Sequence, residues 1–392
     1  MSVPTLAAEA PVAAHSPYYP SLTGLRAVAA YLVFFLHFRP LALNDGWPKV
    51  VLGQLYVGVS LFFVLSGFVL ATRYQHSAQL TRGWWRPYLW QRAARIYPTY
   101  LLLNTAALAR VYWPVPAGKL ANTLLLVFLS ESLLRGFSST LKYVGLPQGW
   151  SLTPEECFYL SLPFLLLLWR RRGLPGAIGF ALAMLGLGMG LTLACRDRPE
   201  LHGFFGSFYH LFNFTFFGRI LEFMLGVGLG RWWNGRPTAS RPGWPWRTLA
   251  GSLSIGLTLA ALVLINSPKP PYEGNLAPSA IVLNVVAFPL GVTLLLAGLL
   301  TEGTWLRTWL ATPLMQALGR SSYFFYILHV GLFSIWWQHT FGWGRHIGAQ
   351  FLVTVALAEL GYRLFERPVH RWILARTVGR PKSTAGQPAS AG

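Results

Sequence analysis

The sequence predicts an all-α, polytopic membrane bundle of about ten transmembrane helices with both termini in the cytoplasm. Three observations carry this expectation. Hydrophobic residues make up 54% of the chain and charged residues only 11%, which does not suit a soluble chain of one or two domains with alternating polar faces. Apolar runs such as "LLLLW", "ALAMLGLGMG" and "LGVTLLLAGLL" recur from end to end. Tryptophan and tyrosine gather where runs end, as in "GWWRPYLW", "RWWNG" and "IWWQH", the place of interfacial aromatic belts.

In chain order the spans are expected at 22–39, 52–72, 94–113, 156–170, 174–195, 213–232, 248–266, 279–301, 318–338 and 346–366. The fourth is short. The segment 119–134 is apolar in its middle but carries Glu131 and Arg135, so it is expected in a long outer loop as a packed or interfacial helix. The first residues are Ala/Pro-rich without a basic stretch, so the first helix is expected to be an uncleaved anchor. The domain reading is a flexible segment 1–20, one transmembrane domain 21–372 and a disordered tail 373–392, whose end "GRPKSTAGQPASAG" is rich in Pro, Ser, Gly and Ala.

The net charge of +20 could suggest nucleic acid. However, the basic residues fall in short loops between spans, so membrane orientation explains them better and no nucleic-acid partner is expected. With the N-terminus inside, the cytoplasmic loops and tail take Arg73 through Arg95, Arg170–Arg172, Arg231, Arg236, Arg241, Arg247, Arg307 and Arg363 through Lys382. The outer loops take Arg39, Lys49, Lys119, Arg135, Lys142, Arg196, Arg198, Lys269 and Arg345. The inside excess is roughly two to one. Cys157 and Cys195 read as small buried residues. No zinc-spaced Cys/His set or Gly-rich phosphate loop is present, so no metal site is expected. The lack of an evident inverted repeat weighs against a transporter.

Arg26 and His37 in "LRAVAAYLVFFLHF" are separated by ten residues. Eleven helical steps return to nearly the same face, ~16 Å further along the axis. An ionisable residue in a span is a functional candidate because burying it without a partner is costly; the plainer alternative is that Arg26 snorkels to the inner surface and His37 rests at the outer one. Arg92 and Arg95 share a helix face at the cytoplasmic entry to the third span, either as a positive-inside anchor or as a phosphate site. In "GWSLTPEECFYLSLP", Thr153 is expected as an N-cap, with Pro154 at the first helical position and Glu156 closing a capping box. Glu155 then has no structural task, and a carboxylate at the depth of His37 could orient an imidazole or a substrate hydroxyl.

Other candidates are secondary. Ser66 and Gly67 would allow close helix packing or line a tunnel. Tyr323, Tyr326 and His329, three apart on one face, would line an acceptor path or form an internal hydrogen-bond cluster. Glu359, Arg363 and Glu366, and likewise Arg219 and Glu222, read as structural ion pairs, although Arg219 could touch a donor. The remaining histidines, among them His15, His76, His202, His210, His339, His346 and His370, read as loop or interface residues.

Six stretches, "LTGLRAVAAYLVFFLHF", "VGVSLFFVLSGFVL", "RAARIYPTYLL", "WSLTPEECFYLSLP", "SSYFFYILHVGLF" and "LFERPVHRW", occur in this order. Together they resemble the membrane acyltransferase-3 family, which includes O-antigen and exopolysaccharide O-acetylases and macrolide acyltransferases. The resemblance runs from about residue 20 to residue 372. It implies Arg26 and His37 as the family's arginine–histidine pair, Arg92 and Arg95 as its paired arginines, and Trp150, Ser151, Leu152 and Glu155 as its Trp-Ser-Leu…Glu motif. Cys157 stands where many relatives have a polar residue. The family often carries a fused extracytoplasmic SGNH-type domain, and no such domain is read in this sequence.

What the resemblance implies is an O-acyltransferase, most simply an O-acetyltransferase (EC 2.3.1.-), in the bacterial inner membrane. Acetyl-CoA or another acyl-CoA would be co-substrate, with no tightly bound cofactor, and the acceptor a hydroxyl of a cell-envelope glycan, glycolipid or macrolide-type metabolite. Arg26, Arg92 and Arg95 would bind the donor's phosphates. His37 would act as general base assisted by Glu155, an acyl-histidine intermediate being the variant, and Trp150, Ser151, Tyr323 and His329 would face the substrate. A non-catalytic glycan transporter or flippase and a structural partner in envelope assembly are the readings from other classes.

Overall fold

The computed structural model describes residues 18–42, 46–236, 244–266, 277–342 and 346–378. Residues 1–17 and 379–392, which hold most of the expected flexible ends, lie outside it, as do His15, Arg241, Lys269, Arg345, Arg380 and Lys382. Within the described residues the chain is helical and has no strand, only an isolated bridge between Ser138 and Phe204. Seven helical stretches there are long and apolar enough to cross a membrane. The chain is a multi-pass membrane protein.

The elements follow in order as α1 (Pro20–Ala42), α2 (Trp47–Gly53), α3 (Gly58–Tyr74), α4 (Arg82–Tyr112) and α5 (Leu120–Glu131). Then come α6 (Leu152–Cys195), α7 (Phe208–Phe214), α8 (Phe216–Asn234) and α9 (Trp246–Asn266). After these lie α10 (Pro278–Val282), α11 (Phe288–Thr301), α12 (Trp305–Leu310), α13 (Pro313–Arg320), α14 (Ser322–Leu328), α15 (Leu332–Phe341), α16 (Ile347–Gly361) and α17 (Arg367–Thr377).

The count of ten spans is not reached on length and hydropathy, for three local reasons. The fourth and fifth expected spans run together as α6 and are separated by a kink at Gly173, whose φ of 64° suits a residue without a Cβ. The third, α4, starts twelve residues earlier than expected and carries a polar, Arg-rich first half. The ninth, 318–338, is no single span. It breaks into α13, α14 and α15, with Gly331 at φ 131° before α15. The tenth continues through a π turn at Tyr362–Glu366 into α17. The segment 119–134 holds the 12-residue α5, too short to cross.

α3 and α8 make the most extensive helix–helix contact. Gly67 and Gly226 meet there backbone to backbone, and a Cβ on either would strike the main chain of the other helix. Small residues at such a crossing let helices approach where no hydrophobic drive separates lipid from protein. Phe63, Phe223 and Phe158 stack across α3, α8 and α6, with ring centroids 4.6 and 4.2 Å apart. Beside them Arg219 and Glu222 form the expected ion pair at 2.8 Å, fully enclosed, with Ser60 Oγ donating to Glu222 at 3.1 Å. Removing one partner of such a pair strands the other charge, at about 3–5 kcal/mol.

Candidate active site

A cavity of about 440 Å³ opens between α1, α3, α4, α6, α14 and the π turn leading to α17. One end is charged: Arg26, Arg92, Arg95 and Glu366 line it, with Arg320, Arg367 and His370 beside them. The lining also includes the apolar Val59, Phe62, Phe63 and Leu152 and the hydroxyls of Ser151 and Tyr326. Five arginines against two glutamates line the whole cavity, so it favours an anionic occupant.

Arg26, Arg92 and Arg95 form no direct ion pair among the described residues. The Nε atoms of Arg26 and Arg92 and Oε2 of Glu366 are buried with no hydrogen-bond partner. Buried polar atoms are ordinarily satisfied, which marks these three as candidate ligand contacts. Arg92 is braced by the faces of Tyr74 and Tyr159, its Cζ at 5.9 and 5.8 Å from the ring centroids.

Glu155 lines the same cavity. Its carboxylate accepts hydrogen bonds from Ser66 Oγ at 3.3 Å and from the Tyr159 hydroxyl one helical turn away. Glu155 is therefore held within reach of the arginine end. The neighbouring capping expectation is corrected: α6 starts at Leu152, running on from a 3₁₀ turn over Pro147–Ser151, and its N-cap Ser151 makes no side-chain cap bond. Thr153 Oγ1 instead donates to the Leu133 carbonyl at 2.5 Å, and Glu156 Oε1 is buried with no hydrogen-bond partner. A turn continuous with the helix leaves fewer orphan N–H groups for a capping box to serve.

His37 lies elsewhere. It is exposed near the end of α1 and does not line the cavity. Its Nδ1 is 3.0 Å from Nε2 of His329, which is fully buried. Phe62 and Tyr326 line the cavity, and Phe34 and His329 pack behind them, with the Phe62 and Tyr326 rings 5.9 Å apart. The fold thus brings Arg26, Arg92, Arg95 and Glu155 together and holds His37 on the far side of an aromatic wall.

The expected substrate-facing residues divide in the same way. Ser151 and Tyr326 share a hydrogen bond of 2.8 Å in the cavity lining. Tyr323 lines the cavity with its hydroxyl donated to the Ile96 carbonyl at 2.7 Å. Trp150 packs edge-on against Phe214, 4.8 Å between centroids, outside the cavity. Of the tunnel pair, Ser66 faces the cavity and Gly67 the α3–α8 crossing.

Sequence reasoning passed over Tyr159, Arg320, Arg367 and the cavity role of Glu366. Tyr159 was open to view as the i+4 neighbour of Glu155. Glu366 was hidden by the π turn. Arg363 and Glu359 do pair, at 2.6 Å, on the outer surface. The wider turn at Tyr362–Glu366 shifts the following face, so Glu366 does not continue that row.

A helical membrane protein with a basic, partly open cavity between its spans, bordered by a paired histidine, defines the class. The acyltransferase domain model of the acyltransferase-3 family matches residues 19–359, and the chain belongs to that family. It is similar to Acyltransferase MdmB of Streptomyces mycarofaciens, at 28% identity over 95% of this chain and 96% of that one. A Staphylococcus aureus chain named "Putative O-acetyltransferase" is 22% identical over 90% of this chain and 58% of its own length, so this chain spans little more than half of it. Peptidoglycan O-acetyltransferase OatA of Listeria monocytogenes is 32% identical over 38% of this chain and 24% of its own. No solved structure matches. The chain is an acyltransferase of the class that transfers groups other than aminoacyl groups (EC 2.3.1.-).

Proposed function

We propose that this acyltransferase moves an acyl group, most simply acetyl, from cytosolic acyl-CoA to a hydroxyl of a cell-envelope glycan or glycolipid. The observation that carries the reading is the convergence of Arg26, Arg92 and Arg95, without ion-pair partners among the described carboxylates, at one end of a partly open cavity. Phosphate oxygens satisfy forked guanidinium donors in pairs. The donor's phosphates sit at this end, and the pantetheine arm extends along α1, whose Arg26-to-His37 rise is ~16 Å.

His37 acts as the general base. It takes the proton of the acceptor hydroxyl as that oxygen attacks the thioester carbonyl carbon. The tetrahedral intermediate collapses with cleavage of the C–S bond, and the CoA thiolate leaves with the proton returned by His37. Glu155, held by Ser66 and Tyr159, orients the donor on the cavity side. The thioester meets His37 when the Phe62–Tyr326 wall parts.

The arginine-rich end faces the cytoplasm by the positive-inside rule. That orientation puts both termini on the cytoplasmic side of a bacterial inner membrane, with about ten crossings once α4, the two halves of α6 and the broken α13–α15 segment are counted. The glycan acceptor is supported by the name of OatA, a peptidoglycan O-acetyltransferase. An O-antigen sugar is one such glycan, and a macrolide-type secondary metabolite is the alternative acceptor. The relative that matches nearly end to end is named only as an acyltransferase.

Calorimetry with acetyl-CoA on protein in nanodiscs tests the donor half. Micromolar binding that is lost in the Arg92→Ala/Arg95→Ala double variant supports the reading. A well-folded wild type that binds no acetyl-CoA overturns it.

A further inference from the structure

The break between α14 and α15 leaves backbone carbonyls in the last turn of α14 without the amide partners a continuing helix would supply. Side chains fill these places. Gln148 Nε2 donates to the Ile327 and Val330 carbonyls, at 2.6 and 2.9 Å. The third donor is His329 itself, whose Nδ1 lies 2.8 Å from the Tyr326 carbonyl.

A carbonyl oxygen only accepts, so Nδ1 of His329 carries the proton. In the neutral ring Nε2 is then a bare acceptor. That atom lies 3.0 Å from Nδ1 of His37, so the proton between the rings belongs to His37. His37 in its neutral form is therefore protonated on Nδ1 and carries its lone pair on Nε2. The His329 ring is held in place by its surroundings. It is fully buried and stacks on Phe325 with centroids 5.9 Å apart and planes 8° from parallel. The His37 ring meets it at 5.1 Å.

We propose that His329 is a positioning residue. Through it the Tyr326 carbonyl sets the tautomer of His37, making Nε2 the basic atom. This rests on the reading of His37 as general base. When His37 takes the hydroxyl proton on Nε2, the imidazolium keeps its Nδ1–H on His329 and returns the Nε2 proton to the thiolate, so protons balance and His329 changes no bond. An orienting acceptor behind a catalytic imidazole is a general device, and forcing the wrong tautomer costs up to about 10⁴-fold in turnover. It also gives His329 a role other than the substrate contact its spacing suggested.

The test compares wild type, His329→Leu, His329→Gln and His37→Ala in nanodiscs. Glutamine keeps a donor for the Tyr326 carbonyl and an acceptor for His37, and leucine keeps neither. The first readout is nitrogen NMR of ¹⁵N-histidine-labelled protein, with the two signals assigned by their loss in the variants. The expected spectrum has both rings protonated on Nδ1, with His37 altered in His329→Leu and restored in His329→Gln. A His37 ring protonated on Nε2 in the wild type, or one unmoved by His329→Leu, overturns the proposal.

The second readout is CoA thiol release from acetyl-CoA, with methyl N-acetylglucosaminide or water as the nucleophile. His329→Leu is expected to lower kcat at least about tenfold, with KM for acetyl-CoA within about twofold, and His329→Gln to regain most of it. An inactive His37→Ala with a fully active His329→Leu overturns the positioning role alone. A fully active His37→Ala overturns the base reading and the positioning role together.

Discussion

The hydroxyl of Ser66 on α3 stands 3.3 Å from a carboxylate oxygen of Glu155 on α6, inside the arginine-lined cavity. Together with the Tyr159 hydroxyl it fixes one carboxylate in a space otherwise built for anions. Glu155→Gln is expected to lower acyl transfer at least tenfold, on the order of a lost charge-assisted hydrogen bond. Ser66→Ala, which removes only one donor, should cost less than about tenfold. Steady-state kinetics with acetyl-CoA checks the order of the two.

Arg92 and Arg95 are expected to differ from lysine as well as from alanine. Arg92 is buried and flanked by two tyrosine rings, a setting that suits a planar guanidinium. Arg92→Lys should weaken acetyl-CoA binding by about 1.5–3 kcal/mol, roughly 10- to 150-fold. The same change at Arg95, which is only half-buried, should cost less. An equal loss at both positions would count against a specific fork at Arg92.

Glu366 lies beside Arg26 and Arg95 in the cavity, while Glu359 pairs with Arg363 outside it. Glu366→Gln is expected to tighten the binding of an anionic donor by at most a few-fold, and more at alkaline pH, where the carboxyl is ionised, than at neutral pH. Glu359→Gln, outside the cavity, should leave it unchanged. Titration calorimetry on the two variants separates them.

Gly67 and Gly226 touch across α3 and α8. Alanine at either site is expected to destabilise the fold by about 1–3 kcal/mol through overpacking, read as a lower unfolding midpoint in detergent. Alanine at Gly256, where an added Cβ meets nothing, is the control and should be neutral.

Glu302 follows α11 and closes the start of α9. It accepts from the Arg247 and Thr248 backbone amides, both at 2.9 Å, and from the Thr248 hydroxyl at 2.7 Å. Burial pushes its carboxyl up, but the Thr248 hydroxyl, the two amides and the Arg247 charge outweigh this and hold it below the usual carboxylate value. A carboxylate depressed by folding stabilises above its unfolded pKa of about 4.3 and loses that contribution as pH falls through the lower folded value. Acid destabilisation below about pH 4 should therefore be shallower in Glu302→Gln. Melting curves between neutral pH and pH 3 test this.

The sequence by itself determined what depends on neighbours in the chain. Hydropathy fixed the helical membrane class, because each apolar run satisfies its own backbone bonds within the helix. Helical periodicity put Arg26 and His37 on one face and Arg92 beside Arg95, and six ordered motifs carried the family. Tertiary structure decided everything that depends on which faces meet. The His37–His329 pair joins residues 292 positions apart, and no local pattern encodes that register. The aromatic wall between Glu155 and His37 comes from α3 and α14 together. The π turn moved Glu366 into the cavity by changing the period on which its structural reading relied. Local chemistry sets a helix and its faces; contacts between helices are set by shape and small residues distributed over the whole chain.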